Sequence, residues 1–376
     1  MKTIPLAAPD IGESEIDAVL GVLRSGRLSL GPCLPAFEEA MARVAGTTHA
    51  VAMNSGTSAL HVALLCLRIG PGDEVITPSF SFVASANVIL MCGASPVFVE
   101  VDPHTWNLDP EAVEAAITPR TRAVLPVHVF GRPAPMEEIL EIADRHGLHV
   151  VEDACEAIGA TLGGRPVGSF GQAAAFAFYP NKMITTGEGG VLVTGDAETA
   201  ARASRLRNQG RDDERDWFQN VELGYNFRLD EMSCALGLAQ VRRLEELMAA
   251  RDAVAAAYRE RLAGRDEIVL PAPPAPGMRI SRFVYVIRLH DRFSRKDRDA
   301  VAAELAERGI ACGRYFAPIH LQPLYRDRGH RPGELPVTEA LADRVLALPF
   351  HGHLDEKDLD RISEELLRAL SRRTPR

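Results

Sequence analysis

The sequence predicts an α/β fold: a mainly parallel central sheet with helices on both faces, followed by a smaller α+β domain. Three observations predict it. Short apolar runs of strand length alternate with amphipathic helical stretches through the first two thirds of the chain. Gly, Pro, Asn and Asp clusters punctuate those runs. The composition then shifts at Pro271-Ala272-Pro273-Pro274-Ala275-Pro276, which cannot be regular helix or central strand. The expected division is a large domain at 1–248, including the N-terminal segment, and a small domain at 249–376.

The 376 residues amount to roughly two to three domains by length, enough to bury a full α/β core. Charged residues at 25% and hydrophobic ones at 46% give ordinary globular composition. A net charge of −9 with no basic tract argues against nucleic acid or an anionic membrane as partner. Backbone amides can still bind a phosphorylated small molecule without net positive charge. Met1-Lys2-Thr3-Ile4-Pro5 carries no apolar core of signal-peptide length, and no apolar run reaches a membrane span. The expected location is cytoplasmic. The six cysteines are scattered without a C-x-x-C pair, as in a protein with reduced thiols.

Amphipathic helices are expected over 13–25 and 35–45, with a break at Gly31-Pro32. A strand over 49–53 ends in Asn54-Ser55-Gly56-Thr57-Ser58, and a helix over 59–67 follows. Free amides and the positive helix end converge at such a turn, which makes it a candidate anion site. The same Ser and Thr residues also suit simple N-caps. A strand over 74–77 leads through Pro78-Ser79-Phe80-Ser81-Phe82 into a helix over 83–92. Phe80 and Phe82 stand at a strand's carboxyl end, where open α/β sheets bind ligands, although either ring also suits core packing.

Strands over 96–101, 123–127 and 149–152 then alternate with helices over 109–117 and 136–146. The last of these strands ends in Glu152-Asp153-Ala154-Cys155-Glu156. A carboxylate at the mouth of a buried strand is costly unless paired. Asp153 therefore caps the next segment or partners a protonated ring nitrogen. A turn or hairpin is expected over 163–168, strands over 173–178 and 190–194, and a helix over 198–207. A solvated charged loop over 211–216 and Gly224-Tyr225-Asn226-Phe227-Arg228 precede a long helix capped by Asp230. Beyond the Pro-rich stretch come a strand over 283–289 and helices over 295–308, 337–347 and 356–370. His320, His351 and His353 lie in this part, but the His351/His353 pair lacks the nearby carboxylates of a metal site. No G-x-G-x-x-G follows a strand and no P-loop occurs, so nicotinamide and ATP lack their usual support.

Lys182 is the candidate nucleophile. Of 42 basic residues only four are lysine: Lys2, Lys182, Lys296 and Lys357. Lys182 alone follows an apolar strand-like run and precedes a Gly-rich turn, in Phe178-Tyr179-Pro180-Asn181-Lys182 and Thr186-Gly187-Glu188-Gly189-Gly190. Arginine cannot be deprotonated in a protein, whereas a desolvated lysine can form a Schiff base.

The ordered set Asn54-Ser55-Gly56-Thr57, Gly72-Asp73-Glu74-Val75, Glu152-Asp153-Ala154, Tyr179-Pro180-Asn181-Lys182, Thr186-Gly187-Glu188-Gly189-Gly190 and Gly224-Tyr225-Asn226-Phe227-Arg228 resembles the DegT/DnrJ/EryC1/StrS aminotransferases. The likeness runs from Ile4-Pro5 to Leu348-Pro349-Phe350. It implies fold type I, pyridoxal 5′-phosphate (PLP) as cofactor, and transfer of an amino group from L-glutamate to a nucleotide-linked keto-sugar. The products of such enzymes serve surface polysaccharides or glycosylated natural products. The resemblance further implies that Lys182 holds the cofactor and that Asp153 pairs with its pyridinium nitrogen. Phe82 would lie against the ring, and Gly56, Thr57 and Ser58 would hold the phosphate. Asn226 would reach the phosphate of the neighbouring subunit, which implies a homodimer with shared sites.

Two positions depart from the family pattern. Ala177 stands where a phosphate-binding serine is common, and Glu156 stands where Gln or His usually meets the cofactor's 3′-oxygen. A charged Glu156 would repel that oxygen, so it is either protonated or turned elsewhere. A keto-cyclitol acceptor, a PLP-dependent sugar dehydratase and a non-catalytic regulator are the rival readings. The dehydratases have His where this chain has Lys182, and keeping Lys182 with Asp153 argues against a regulator.

Overall fold

A computed structural model describes residues 3–212 and 219–373. Position 213 onward of the expected charged loop at 211–216 therefore lies outside the described residues. Helices α1 (Glu13–Ser25) and α2 (Cys33–Ala45) precede β1 (His49–Met53) and α3 (Gly56–Cys66). Then come β2 (Glu74–Pro78), α4 (Ala84–Met91), β3 (Ser95–Val99), α5 (Pro110–Ala115), β4 (Thr121–Val124), α6 (Met136–His146) and β5 (His149–Asp153). A short hairpin, β6 (Thr161–Leu162) and β7 (Arg165–Pro166), fills the turn expected at 163–168. The large sheet is completed by β8 (Ala173–Ala177) and β9 (Gly190–Thr194), followed by α7 (Ala197–Arg207) and α8 (Glu231–Arg242).

The seven strands lie in the order β1-β9-β8-β5-β4-β2-β3. Only β9 runs against the others, so the sheet is mainly parallel, as expected. Alternation sends side chains to opposite faces. Ala173 and Ala175 of β8 join the core around α3, while Ala174 and Phe176 join the core around α2. Both faces are covered, which explains why the strands read as continuous apolar runs.

After α9 (Leu244–Leu262) come the two-residue strands β10 (Ile268–Val269) and β11 (Met278–Arg279), then β12 (Tyr285–Leu289) and α10 (Arg295–Glu307). The short α11 (Pro323–Arg326), α12 (Pro336–Arg344), β13 (Val345–Leu348) and α13 (Glu356–Ser371) finish the chain. Strands β10, β12 and β13 form an antiparallel sheet, and α10 and α13 share its core.

Three expectations need correction. The helix expected from 59 starts at Gly56, because Ser55 caps it by accepting from Ser58 N at 3.1 Å. The helix expected over 337–347 stops at Arg344; Val345-Leu346-Ala347-Leu348 is apolar at both periods and pairs with β12 as a strand. The 248/249 boundary falls inside α9, whose Leu244, Leu247 and Met248 pack in the large core while Val254, Tyr258 and Leu262 pack in the small one. Ile4 also joins the small core, bonding through its N–H to Gly309 O at 2.8 Å.

Candidate active site

The parallel strands β1, β2, β5 and β8 end at one edge, and the antiparallel β9 begins there. A cavity of about 490 Å³ opens at that edge, between the large sheet and the loops carrying Phe283, Tyr315 and Phe316.

Its floor follows from strand alternation. Val151 and Asp153 of β5 face α3, while Val150 and Glu152 face the other way. Glu152 is fully buried and accepts from the N–H groups of Gly168, Phe170 and Gly171 at 2.8, 2.7 and 2.8 Å. His128 Nε2 donates to it at 3.1 Å, since Nδ1 is occupied in accepting from Ala134 N at 2.9 Å. Glu152 thus pins a loop, and Asp153 alone of the pair reaches the cavity. Asp153 Oδ2 accepts from Ser85 Oγ at 2.7 Å, and Oδ1 from Cys155 N at 3.2 Å. A hydroxyl has one proton, so Ser85, in donating to Asp153, accepts from Ser81 Oγ at 2.9 Å.

Lys182 projects from a closed loop. Its own N–H donates to Tyr179 O at 2.8 Å, and Thr185 Oγ1 and Thr186 N both donate to Phe178 O, at 2.9 and 3.1 Å. Arg251, buried on α9, donates to Lys182 O at 2.9 Å, and burial brings its guanidinium down to about 10. Lys182 Nζ lies 4.4 Å from the Phe283 ring centre and 3.5 Å from Glu156 Oε1. Glu156 Oε2 accepts from Phe130 N at 2.9 Å. Glu156 therefore points into the cavity, and burial pushes its carboxyl above the usual range despite the opposing pull of Lys182.

The first turn of α3 forms one wall. Its early N–H groups at Gly56 and Thr57 have no intrahelical acceptor. The wall is tight: a Cβ on Gly56 would come within 2.6 Å of Ala177 Cβ and 2.8 Å of Cys155 Sγ. A Cβ on Gly190 would meet Gly56 N at 2.4 Å, so both glycines are required by close approach.

The structure brings Gly56, Thr57, Phe82, Asp153, Glu156 and Lys182 to this cavity. Phe82 is 60% exposed and lines it, whereas Phe80 is wholly buried in the core. Ser58 does not line it; its hydroxyl donates to Asn54 Oδ1 at 2.7 Å, and Ser55 lines the wall instead. Asn226 is exposed and absent from this chain's own cavity lining. Its segment is fixed nevertheless: Phe227 N donates to Arg207 O at 3.0 Å, and Asn54 N donates to Phe227 O at 2.9 Å. Sequence reading missed Ser81, Ser85, Arg251, Phe283 and Tyr315, which lie far along the chain from the motifs they serve. His320 is a structural residue, bonded to Ser79 Oγ at 2.7 Å and Glu339 Oε1 at 3.2 Å.

The donor set suits PLP. Orphaned helix amides match a phosphate, Asp153 matches a protonated ring nitrogen, Lys182 can carry an aldehyde carbon, and the exposed face of Phe82 can cover a ring.

Comparison with known proteins agrees. The sequence profile of the DegT/DnrJ/EryC1/StrS aminotransferase family matches residues 9–367. The chain is 43% identical over 364 residues to GDP-perosamine synthase of Caulobacter vibrioides, covering 96% of this chain and 97% of that one. It is 44% identical over 352 residues to dTDP-3-amino-3,4,6-trideoxy-alpha-D-glucose transaminase of Streptomyces venezuelae, covering 93% and 90%. The PLP form of Spr1654 of Streptococcus pneumoniae superposes with a TM-score of 0.95 at 28% identity, covering 100% of both chains. From motifs, cavity and relatives alike, the chain belongs to the DegT/DnrJ/EryC1/StrS aminotransferase family and is a PLP-dependent aminotransferase.

Proposed function

We propose that this chain moves an amino group from L-glutamate to a nucleotide-linked keto-sugar, as a homodimer with shared sites. The observation that carries the reading is the convergence of Lys182, Asp153 and the first turn of α3 on one cavity. Relatives named for GDP- and dTDP-linked amino-sugars support the acceptor class.

PLP, when bound, supplies a sink for electrons released at the substrate carbon. Gly56 and Thr57 would hold its phosphate through backbone N–H groups, with the Thr57 hydroxyl beside them. Asp153 would keep a proton on the ring nitrogen by charge, and Ser85 stops that carboxylate from turning. Lys182 Nζ would anchor the cofactor, then act as base and acid in moving the substrate proton once the donor amine has displaced it. Glu156 would meet the cofactor's 3′-oxygen, and burial, which raises its carboxyl, favours the neutral form that lessens the repulsion a charged Glu156 would cause. The missing hydroxyl at Ala177 leaves more of the phosphate to α3 and to Asn226.

Two features support the dimer. Asn226 stands on a fixed but exposed segment beside Leu223, which is 84% exposed, and Phe82 and Tyr179 at the cavity are also more than half exposed. The described cavity lining holds three carboxylates, Asp153, Glu156 and Glu188, against the single cation of Lys182. A dicarboxylate donor or a nucleotide diphosphate needs further cations, which a second copy can bring. Among the described residues no helix is long and apolar enough to cross a membrane.

The test is a mass-spectrometric screen of GDP- and dTDP-linked keto-sugars with glutamate. Amino-sugar should appear in step with 2-oxoglutarate. Amination of keto-cyclitols alone would replace the sugar reading.

A further inference from the structure

Asn181 and Tyr315 form a polar pair at the cavity that the chemistry above leaves unused. Asn181 precedes Lys182 on the large domain, and Tyr315 comes from the C-terminal part, 134 residues away. Both line the cavity. Asn181 Nδ2 donates to Tyr315 Oη across 3.4 Å, near the outer limit for such a bond. Asn181 Oδ1 is buried and has no hydrogen-bond partner. A buried amide oxygen left unpaired is unfavourable, so the site gains when a ligand supplies a donor. Tyr315, having accepted from Asn181, still has its own O–H to give.

The pair thus offers one acceptor and one donor, side by side and without charge. A hydroxyl is the group that both gives and accepts one hydrogen bond. A carboxylate only accepts, so the Asn181 oxygen would repel it. We propose that Asn181 and Tyr315 together bind one hydroxyl of the sugar acceptor, gripping it between the two parts of the chain. This rests on the keto-sugar reading above. It makes the pair a determinant of which sugars are aminated, because a site built to bond a hydroxyl discriminates against the analogue that lacks it.

The test separates the two halves of the reaction in the PLP-loaded enzyme. The first half is followed with glutamate alone by cofactor absorbance. The second is followed in single turnover of the aminated enzyme with GDP-4-keto-6-deoxymannose, dTDP-4-keto-6-deoxyglucose and their 2-deoxy and 3-deoxy analogues. Tyr315→Phe removes only the hydroxyl, and Asn181→Ala removes the amide. In both variants the loss of kcat/KM for the sugar should exceed the loss for glutamate by roughly tenfold or more. That excess should disappear with the deoxy analogue lacking the bonded hydroxyl. Equal losses in both halves, a larger loss with glutamate, or an excess that persists with every deoxy analogue overturns the proposal while the sugar reading stands. Wild-type enzyme that aminates none of these sugars overturns the sugar reading and the proposal together. Retained cofactor absorbance in Tyr315→Phe confirms that the variant is folded.

Discussion

At the floor of the cavity the carboxyl groups of Asp153 and Glu156 are tied down within the chain. Asp153 accepts from Ser85 and Cys155, and Glu156 from Phe130 and Lys182. At the mouth the pattern reverses. Asn181 keeps an unpartnered amide oxygen, Phe82 is 60% exposed, and Asn226 stands exposed outside this chain's own pocket. A prebuilt floor needs no rearrangement as charge moves through it. Unpartnered or exposed groups here are what a substrate or a second copy of the chain would satisfy. On the function proposed above, chemistry belongs to the single chain and recognition to its partners.

Breaking the floor should give the largest effects. Lys182→Arg keeps the positive charge but loses an amine that can be deprotonated. Transamination should fall by at least roughly a hundred- to ten-thousandfold, measured as 2-oxoglutarate formation, with circular dichroism unchanged. Borohydride reduction of wild type should fix the cofactor on the Lys182 peptide; label on Lys296 or Lys357 would contradict the assignment.

Asp153→Asn should cost about tenfold to a hundredfold in kcat, since an amide cannot hold the ring proton by charge. Ser85→Ala tests the support beneath it. Activity should drop about threefold to tenfold, and the pH midpoint of the bound cofactor's absorbance should move, which a purely structural residue would not cause. An unmoved midpoint in Ser85→Ala removes Ser85 from the account.

The smallest effect concerns Glu156. Its carboxyl is raised above the ordinary 4.5, chiefly by burial. Its contribution to stability is therefore complete below 4.5 and is lost as pH rises through its own higher value. Glu156→Gln lacks that loss. In cofactor-free protein, the Tm of the variant minus that of wild type should climb as pH rises above 4.5. A difference that stays flat across the series would show that folding does not raise the Glu156 carboxyl.

The floor was largely legible in the sequence, and the mouth was not. Lys182 and Asp153 each follow an apolar strand-like run, and Glu156 stood out by its departure from the family pattern. Their supports come from distant elements that only the topology brings near. Ser85 lies 68 positions from Asp153, and Arg251 lies 69 from Lys182. Neither has a local pattern that distinguishes it from an ordinary helical serine or arginine. Ser58 misled because Ser and Thr at a helix start serve as caps and as anion ligands alike, and only its bond to Asn54 separates the two. The fold was legible for the same reason as the floor: buried parallel strands are short, apolar and bounded by turns. Val345-Leu346-Ala347-Leu348 escaped because four apolar residues fit a strand or a buried helix equally.

The division between a self-contained floor and a mouth completed by a partner is tested most directly by subunit exchange. Asn226→Ala chains, assayed at limiting PLP, should bind cofactor about tenfold to a hundredfold more weakly, as expected for a lost hydrogen bond to a charged group. Lys182→Ala chains should be inactive. In a hybrid dimer both defects fall on one site, and the other combines an intact Lys182 with an intact Asn226 from its neighbour. The account predicts that activity returns when the two inactive preparations are mixed. Demonstrated exchange without recovery, or full activity from a monomer, would contradict it.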